Sequence, residues 1–172
     1  MDIDLEVIII ETPYDRKISD CNTRLNDTYI YYGDKGSEYK ENQVAQDRNA
    51  SMKSSSIAVE RAVSKSKKNA YNNEHWDLVD KAEKEKYFAS KIKSDELPVQ
   101  LKGKSKAEIT KIVNEKCAER DKIQKEIAEL SIKRQQYIDA EMKKRGDNKT
   151  DDLGKAIEKS IVEIAKKNGY TY

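Results

Sequence analysis

Ser105-Lys106-Ala107-Glu108-Ile109-Thr110-Lys111-Ile112-Val113 is the stretch on which the fold turns. Ser105 and Glu108 stand at the spacing of a capping box, in which each side chain answers the other's backbone N–H at a helix start. Behind them an apolar stripe recurs at helical intervals: Ile109, Ile112 and Val113, Cys117, Ile123, Ile127, Leu130, Tyr137 and Ile138, then Met142, closing at Gly146. The opposite face is almost wholly Lys, Glu, Arg and Gln. About forty residues at ~1.5 Å each make a rod of roughly 60 Å, so the spacing predicts a long amphipathic helix that needs a mate.

On its C-terminal side, Leu153, Ile157, Ile161 and Ile164 share one face of a further helix over 152–168. Tyr170-Thr171-Tyr172 follows as an aromatic end able to pack or to bind. On its N-terminal side, Pro98 closes a loop over 94–98. His75-Trp76-Asp77-Leu78-Val79 carries the only Trp, and Tyr87, Phe88 and Ile92 continue an apolar face. Residues 37–70 read as helix thin in large hydrophobes, with Val44, Met52, Val59 and Val63 set among alanines. That segment, or a second copy of the chain, is the expected antiparallel mate of the long helix.

Near the start, Leu5-Glu6-Val7-Ile8-Ile9-Ile10 is a nearly solid apolar, β-branched run and reads as a strand buried on both faces. Thr12-Pro13 signals a helix start, with Ile18, Cys21 and Leu25 as its stripe and Asn26-Asp27 as its break. Thr28-Tyr29-Ile30-Tyr31-Tyr32 reads as a second strand, closed by the turn Gly33-Asp34-Lys35-Gly36. The connection is long enough for a parallel βαβ-like unit. Two strands do not make a self-sufficient sheet, so the run is expected to complete or abut a sheet of something larger.

Composition agrees with long, solvated helices. The 172 residues are 36% hydrophobic and 38% charged, with 6 Gly and 2 Pro, against roughly 45–50% apolar in an ordinary domain. Lys+Arg number 34 and Asp+Glu 32, a balance unlike the net basic footprint of a phosphate-binding protein. The densest basic stretches, 65–68 and 102–111, read as exposed surface. No apolar run approaches the ~20 residues of a membrane span, and Met1 is followed by acidic residues rather than by a leader-like pattern.

The catalytic inventory is poor. His75 is the only histidine, so any Ser-His or Cys-His pair must use it, with Asp77 as the neighbouring carboxylate that could hold it. Its plainer reading is a residue packing at a helix start. Cys21 and Cys117 have no CxxC partner and fall on apolar stripes, which reads as two buried thiols. No glycine-rich phosphate loop and no HxH, DxDxD or HExxH metal pattern occurs. Tyr29, Tyr31 and Tyr32 could stack on a ligand, but strand packing already accounts for them. No catalytic residue, cofactor site or metal ligand is therefore assigned.

Several segments, in order, resemble the region following the von Willebrand factor A (VWA) domain in a group of uncharacterised bacterial VWA-domain proteins. They are Glu11-Thr12-Pro13-Tyr14-Asp15, Leu25-Asn26-Asp27-Thr28-Tyr29-Ile30-Tyr31-Tyr32-Gly33, Gln46-Asp47-Arg48-Asn49-Ala50 and Trp76-Asp77-Leu78-Val79-Asp80. Leu97-Pro98, Leu101-Lys102-Gly103-Lys104-Ser105, the helix over 116–134 and Gly169-Tyr170-Thr171-Tyr172 complete the series. The resemblance implies the C-terminal portion of a longer protein, with 5–10 at the join, and an extracytoplasmic setting. The metal-binding Asp-x-Ser-x-Ser loop of VWA domains does not occur in this sequence.

The expected fold is mostly α with a small α/β element at the N-terminus, then a long antiparallel helical hairpin and a C-terminal helix. Its expected divisions are a strand-helix-strand element over 1–36, a helical segment with a loop over 37–104, and the long and C-terminal helices over 105–172. The expected function is non-catalytic: an interaction or scaffold region contacting an upstream VWA domain, another protein or a second copy, with Trp76, Tyr170 and Tyr172 as candidate contact residues. The alternative is a basic-faced helical module that binds nucleic acid.

Overall fold

Helix formation in this chain is set by caps and stripes, and it dominates the result. The computed structural model describes residues 10–145. Among them are six α-helices: α1 (Asp15–Asn26), α2 (Gly36–Lys53), α3 (Ser55–Lys65), α4 (Leu78–Lys84), α5 (Phe88–Lys91) and α6 (Lys106–Arg145), with a 3-10 turn at Val99–Leu101 before α6. The mostly α expectation holds.

The capping box forms as the sequence predicts. Ser105 N–H donates to Glu108 Oε2 at 2.8 Å, and Glu108 N–H to Ser105 Oγ at 3.3 Å. At α1 the same logic works with different residues. Tyr14 N–H donates to Thr12 Oγ1 at 3.2 Å, while Asp15 reaches back to accept from Thr12 N–H at 3.0 Å. Arg134 then donates to that Asp15 carboxylate at 2.8 Å. At Gly33 a backbone φ of +79° explains the glycine of the turn into α2.

Several expectations need correction. No strand occurs among the described residues. Thr28 lies in the turn that ends α1, and the segment after it forms one antiparallel bridge, between Tyr31 and Asp77. Parallel pairing with 5–10 lies outside the described residues, except that Ile10 is buried and non-helical. Second, 37–70 is not one helix. Ser54 leaves helical geometry and caps α3 by accepting from Ile57 N–H at 3.1 Å, so α2 and α3 fold into a hairpin. Val44 and Met52, expected in a seam, are 52% and 74% exposed; α2 buries Gly36, Gln43 and Ala50 instead. Third, among the described residues the segment 37–70 is not the single mate of the long helix. Ile123 and Ile127 pack with Ile18, Leu25, Val59 and Ala62 of α1 and α3. Ile109 and Val113 pack with Leu78, Val79, Phe88 and Leu101. Tyr87, expected on the apolar face, is exposed. The helix expected over 152–168 lies outside the described residues.

The chain divides into two units, Met1–Arg134 and Gln135–Tyr172. The first holds both apolar clusters. In the second, the described residues belong to α6 and carry local helix-surface pairs, Gln135 to Asp139 at 2.8 Å and Lys144 to Glu141 at 2.6 Å. No helix among the described residues is long and apolar enough to cross a membrane.

The seam assignment is tested by charge. Ile127 is fully buried and Ile132 is 61% exposed. Ile127→Asp should cost roughly 4 kcal/mol or prevent folding, and Ile132→Asp no more than about 1 kcal/mol. Equal losses in urea melts would contradict the seam.

Candidate functional site: a cleft beside a clamped extended segment

After α1 ends, the chain runs extended from Tyr29 to Tyr32 and is held on one edge. Leu78 N–H donates to the Ile30 carbonyl and Tyr32 N–H to the Trp76 carbonyl, both at 2.9 Å. Ile30 N–H donates to Asp77 Oδ1 at 2.9 Å, while Asp77 Oδ2 caps α4 by accepting from Asp80 N–H at 3.2 Å. Asp77 is fully buried, and its charge is met by Arg120, which is 2% exposed. Arg120 Nη1 donates to Asp77 Oδ2 and to Asp80 Oδ1, both at 2.6 Å. Its Nε and Nη2 donate to Thr28 Oγ1 at 2.9 Å and the Thr28 carbonyl at 3.1 Å. Burial pushes the Asp77 carboxyl up, and Arg120 opposes that shift.

Aromatic rings fill in around this clamp. The Arg120 guanidinium lies 4.2 Å from the centre of the Tyr29 ring. Tyr29 and Tyr31 each stack on Trp76 at 5.6 Å, and Tyr39 does so at 6.0 Å. Burial raises the phenol pKa of both Tyr29 and Tyr31, so neither ionises near neutrality.

A cleft of about 460 Å³ opens along the extended segment, within the usual size range of ligand pockets. Tyr29, Ile30 and Tyr31 line it together with Pro98, Leu101 and Ile112. Lys40, Val44, Lys116 and Asp27 also line it. The Lys40 ammonium sits 4.9 Å over the Tyr31 ring, and Lys116 pairs with the half-exposed Glu119 at 2.8 Å.

A second polar cluster joins α1, α2 and α3 on one carboxylate. Asp47 accepts from Lys65 Nζ at 2.7 Å, Arg61 Nε at 2.6 Å and Asn26 Nδ2 at 2.9 Å. Burial pushes the Asp47 carboxyl up, but Lys65, Asn26 and Arg61 together hold it below its ordinary value. Lys65 is 2% exposed. Desolvation brings its ammonium pKa down to about 8 although Asp47 holds it up. The stretch 65–68 is therefore not the free basic surface expected. Lys65 is buried on Asp47, and Lys68 bridges Glu83 and Asp121 at 2.6 and 2.7 Å.

Of the residues singled out from sequence, Trp76 is 4% exposed at the centre of the aromatic stack, and Tyr170 and Tyr172 lie outside the described residues. His75 is exposed and meets Tyr39 edge-on at 5.1 Å; the carboxylate of Asp77 goes to Arg120 rather than to His75. Cys21 is buried, Cys117 half-buried, and both are free, with burial pushing each thiol up to about 11. Among the described residues no three His, Cys, Asp or Glu side chains gather as a metal site. Sequence reasoning passed over Arg120, Asp47 and Lys65, although a charged residue inside the apolar stripe of α6 was a visible sign. Comparison of the chain with protein-family models, curated proteins and solved structures yields no match in any of the three.

Lys65 gives the site a pH signature. Its folded pKa, about 8, lies below the ordinary 10.5. Between those values the unfolded chain binds the extra proton, so this group's contribution to stability rises with pH. Below pH 8 the buried ammonium weighs against the fold by a constant amount. Wild type should therefore gain stability relative to Lys65→Met as pH is raised from about 7 to 9.5. A stability difference flat across that window would show that Lys65 titrates normally.

Proposed function

We propose that this chain is a non-catalytic protein-contact module and that the cleft beside Tyr31 is where contact is made. The observation that supports this reading is the character of the cleft. Its walls are aromatic and aliphatic side chains with neutral phenols, and the charged groups on its lining are Lys40, Lys116 and Asp27. Such a lining suits burial of a partner's apolar side chain. The charges that the body buries, on Asp77, Arg120, Lys65 and Arg134, are bound into internal ion pairs. On the strength of the sequence resemblance alone, the proposal extends to a place C-terminal to a VWA-type domain, with the join at 5–10.

A second reading, nucleic-acid binding, is favoured by one feature. Lys102, Lys104, Lys106 and Lys111 are exposed, and none forms an ion pair among the described residues. The two readings separate in one experiment. A photo-crosslinking side chain placed at Val44, on the cleft lining, should give discrete protein adducts in cells, and the same group at the exposed Lys125 should not. Identical products from both positions would remove the contact-module reading. Salt-sensitive retention on RNA, lost only above ~0.1 M, would then favour the second.

A further inference from the structure

We infer that the outer edge of the extended segment at Tyr31 is a strand-addition site. It would take an extended peptide of a partner protein that carries an apolar residue flanked by Asp or Glu. The inference rests on the contact-module reading and names the kind of partner.

Hydrogen-bond geometry sets the direction. The bridge between Tyr31 and Asp77 is flanked by the bonds Leu78 N–H to Ile30 and Tyr32 N–H to Trp76. Tyr31 is thus the non-hydrogen-bonded member of an antiparallel pair, and its own N–H and C=O point to the opposite edge. No backbone or side-chain group among the described residues bonds either of them, or the carbonyl of Tyr29 two residues earlier. Backbone groups of this kind need a partner, whether water or another chain.

The cleft is lined by the same segment. Side chains of an extended segment alternate between faces, yet Tyr29, Ile30 and Tyr31 all line the cleft in succession. A cavity can touch three consecutive extended residues when it runs beside the backbone. A peptide added there would place alternate side chains toward Pro98, Leu101 and Ile112, combining main-chain bonds for affinity with a pocket for selectivity. Charge selects the flanking residues. Lys40 is exposed and makes no ion pair among the described residues, and Lys116 has only the solvent-facing Glu119. Against these two cations the cleft lining carries one carboxylate, Asp27.

The test uses the full ¹³C,¹⁵N-labelled chain and the probe peptide acetyl-Glu-Val-Glu-Ile-Glu-Val-amide. In the free chain the Tyr31 amide should exchange nearly as fast as an unstructured one. At about 1 mM peptide its exchange should slow at least about tenfold, with Ile112 and Leu101 methyl resonances shifting. The same peptide N-methylated at alternate amides should have no effect. Val44→Glu, at an already exposed position, and Ile112→Glu should each weaken binding about tenfold or more; the first keeps the test valid if the second fails to fold. Any of three results overturns the inference: Tyr31 already protected in the free chain, so that the chain covers its own edge; equal binding of the N-methylated peptide; or no response at that concentration. If adducts at residue 44 persist despite such a result, the contact-module reading stands and the strand-addition site falls.

Discussion

A single buried guanidinium organises the first unit. Arg120 lies on α6 between the two apolar clusters, with Ile109 and Val113 on one side and Ile123 and Ile127 on the other. Its bonds to Asp77, Asp80 and both oxygens of Thr28 tie the long helix to the end of α1, the extended segment and the start of α4. A charge in this position is costly unless its donors are met by good geometry. Here Nε, Nη1 and Nη2 all have acceptors within 3.1 Å. The clamp also fixes Asp77, which holds Ile30 and so sets which edge of the segment at 29–32 is used internally and which is left over. The cleft and its free edge follow from that choice.

The same device recurs where the chain lacks apolar area. Arg134, buried, joins Asp15 of α1 to Glu60 of α3 at 2.8 and 2.7 Å. Asp47 of α2 collects Arg61 and Lys65 of α3 together with Asn26 of α1. In a chain only 36% hydrophobic, these directional contacts specify helix register. Apolar packing alone would leave a thin face such as that of α2, which buries Gly36, Gln43 and Ala50, free to slide. The buried pairs join α6 to α1, α3 and α4, and α2 to α3, and in such places an ion pair can fix one arrangement without adding much net stability.

What could be read in advance follows from the range of the interactions. The start of α6 was legible because the Ser105–Glu108 box is local, and Ile109 to Ile127 repeat on one face. The stripe broke at 120 and 134, where arginines replace hydrophobes; their partners lie dozens of residues away, so the sequence marked the anomaly without its explanation. Ser54-Ser55-Ser56 held the cap that splits α2 from α3, a local signal within a segment that otherwise reads as helix thin in large hydrophobes. Residues 28–32 read as a strand, but Thr28 closes the turn after α1 and only Tyr31 forms a bridge. The partner in that bridge was not legible, since pairing with 76–78 depends on Asp77 being drawn inward by Arg120. The cleft depends on that long-range pairing and on the loop around Pro98 and Leu101, so no local pattern could have shown it.

The claim that one buried arginine holds this arrangement is tested most directly by a double-mutant cycle in urea. Arg120→Met alone should cost about 3–5 kcal/mol, because it strands the Asp77 carboxylate without its counter-charge. Adding Asp77→Asn should recover part of that loss, since asparagine can still accept from Ile30 N–H, giving a coupling energy of at least about 1.5 kcal/mol. Single losses that add to within about 0.5 kcal/mol, or an Arg120→Met chain as stable as wild type, would contradict the account.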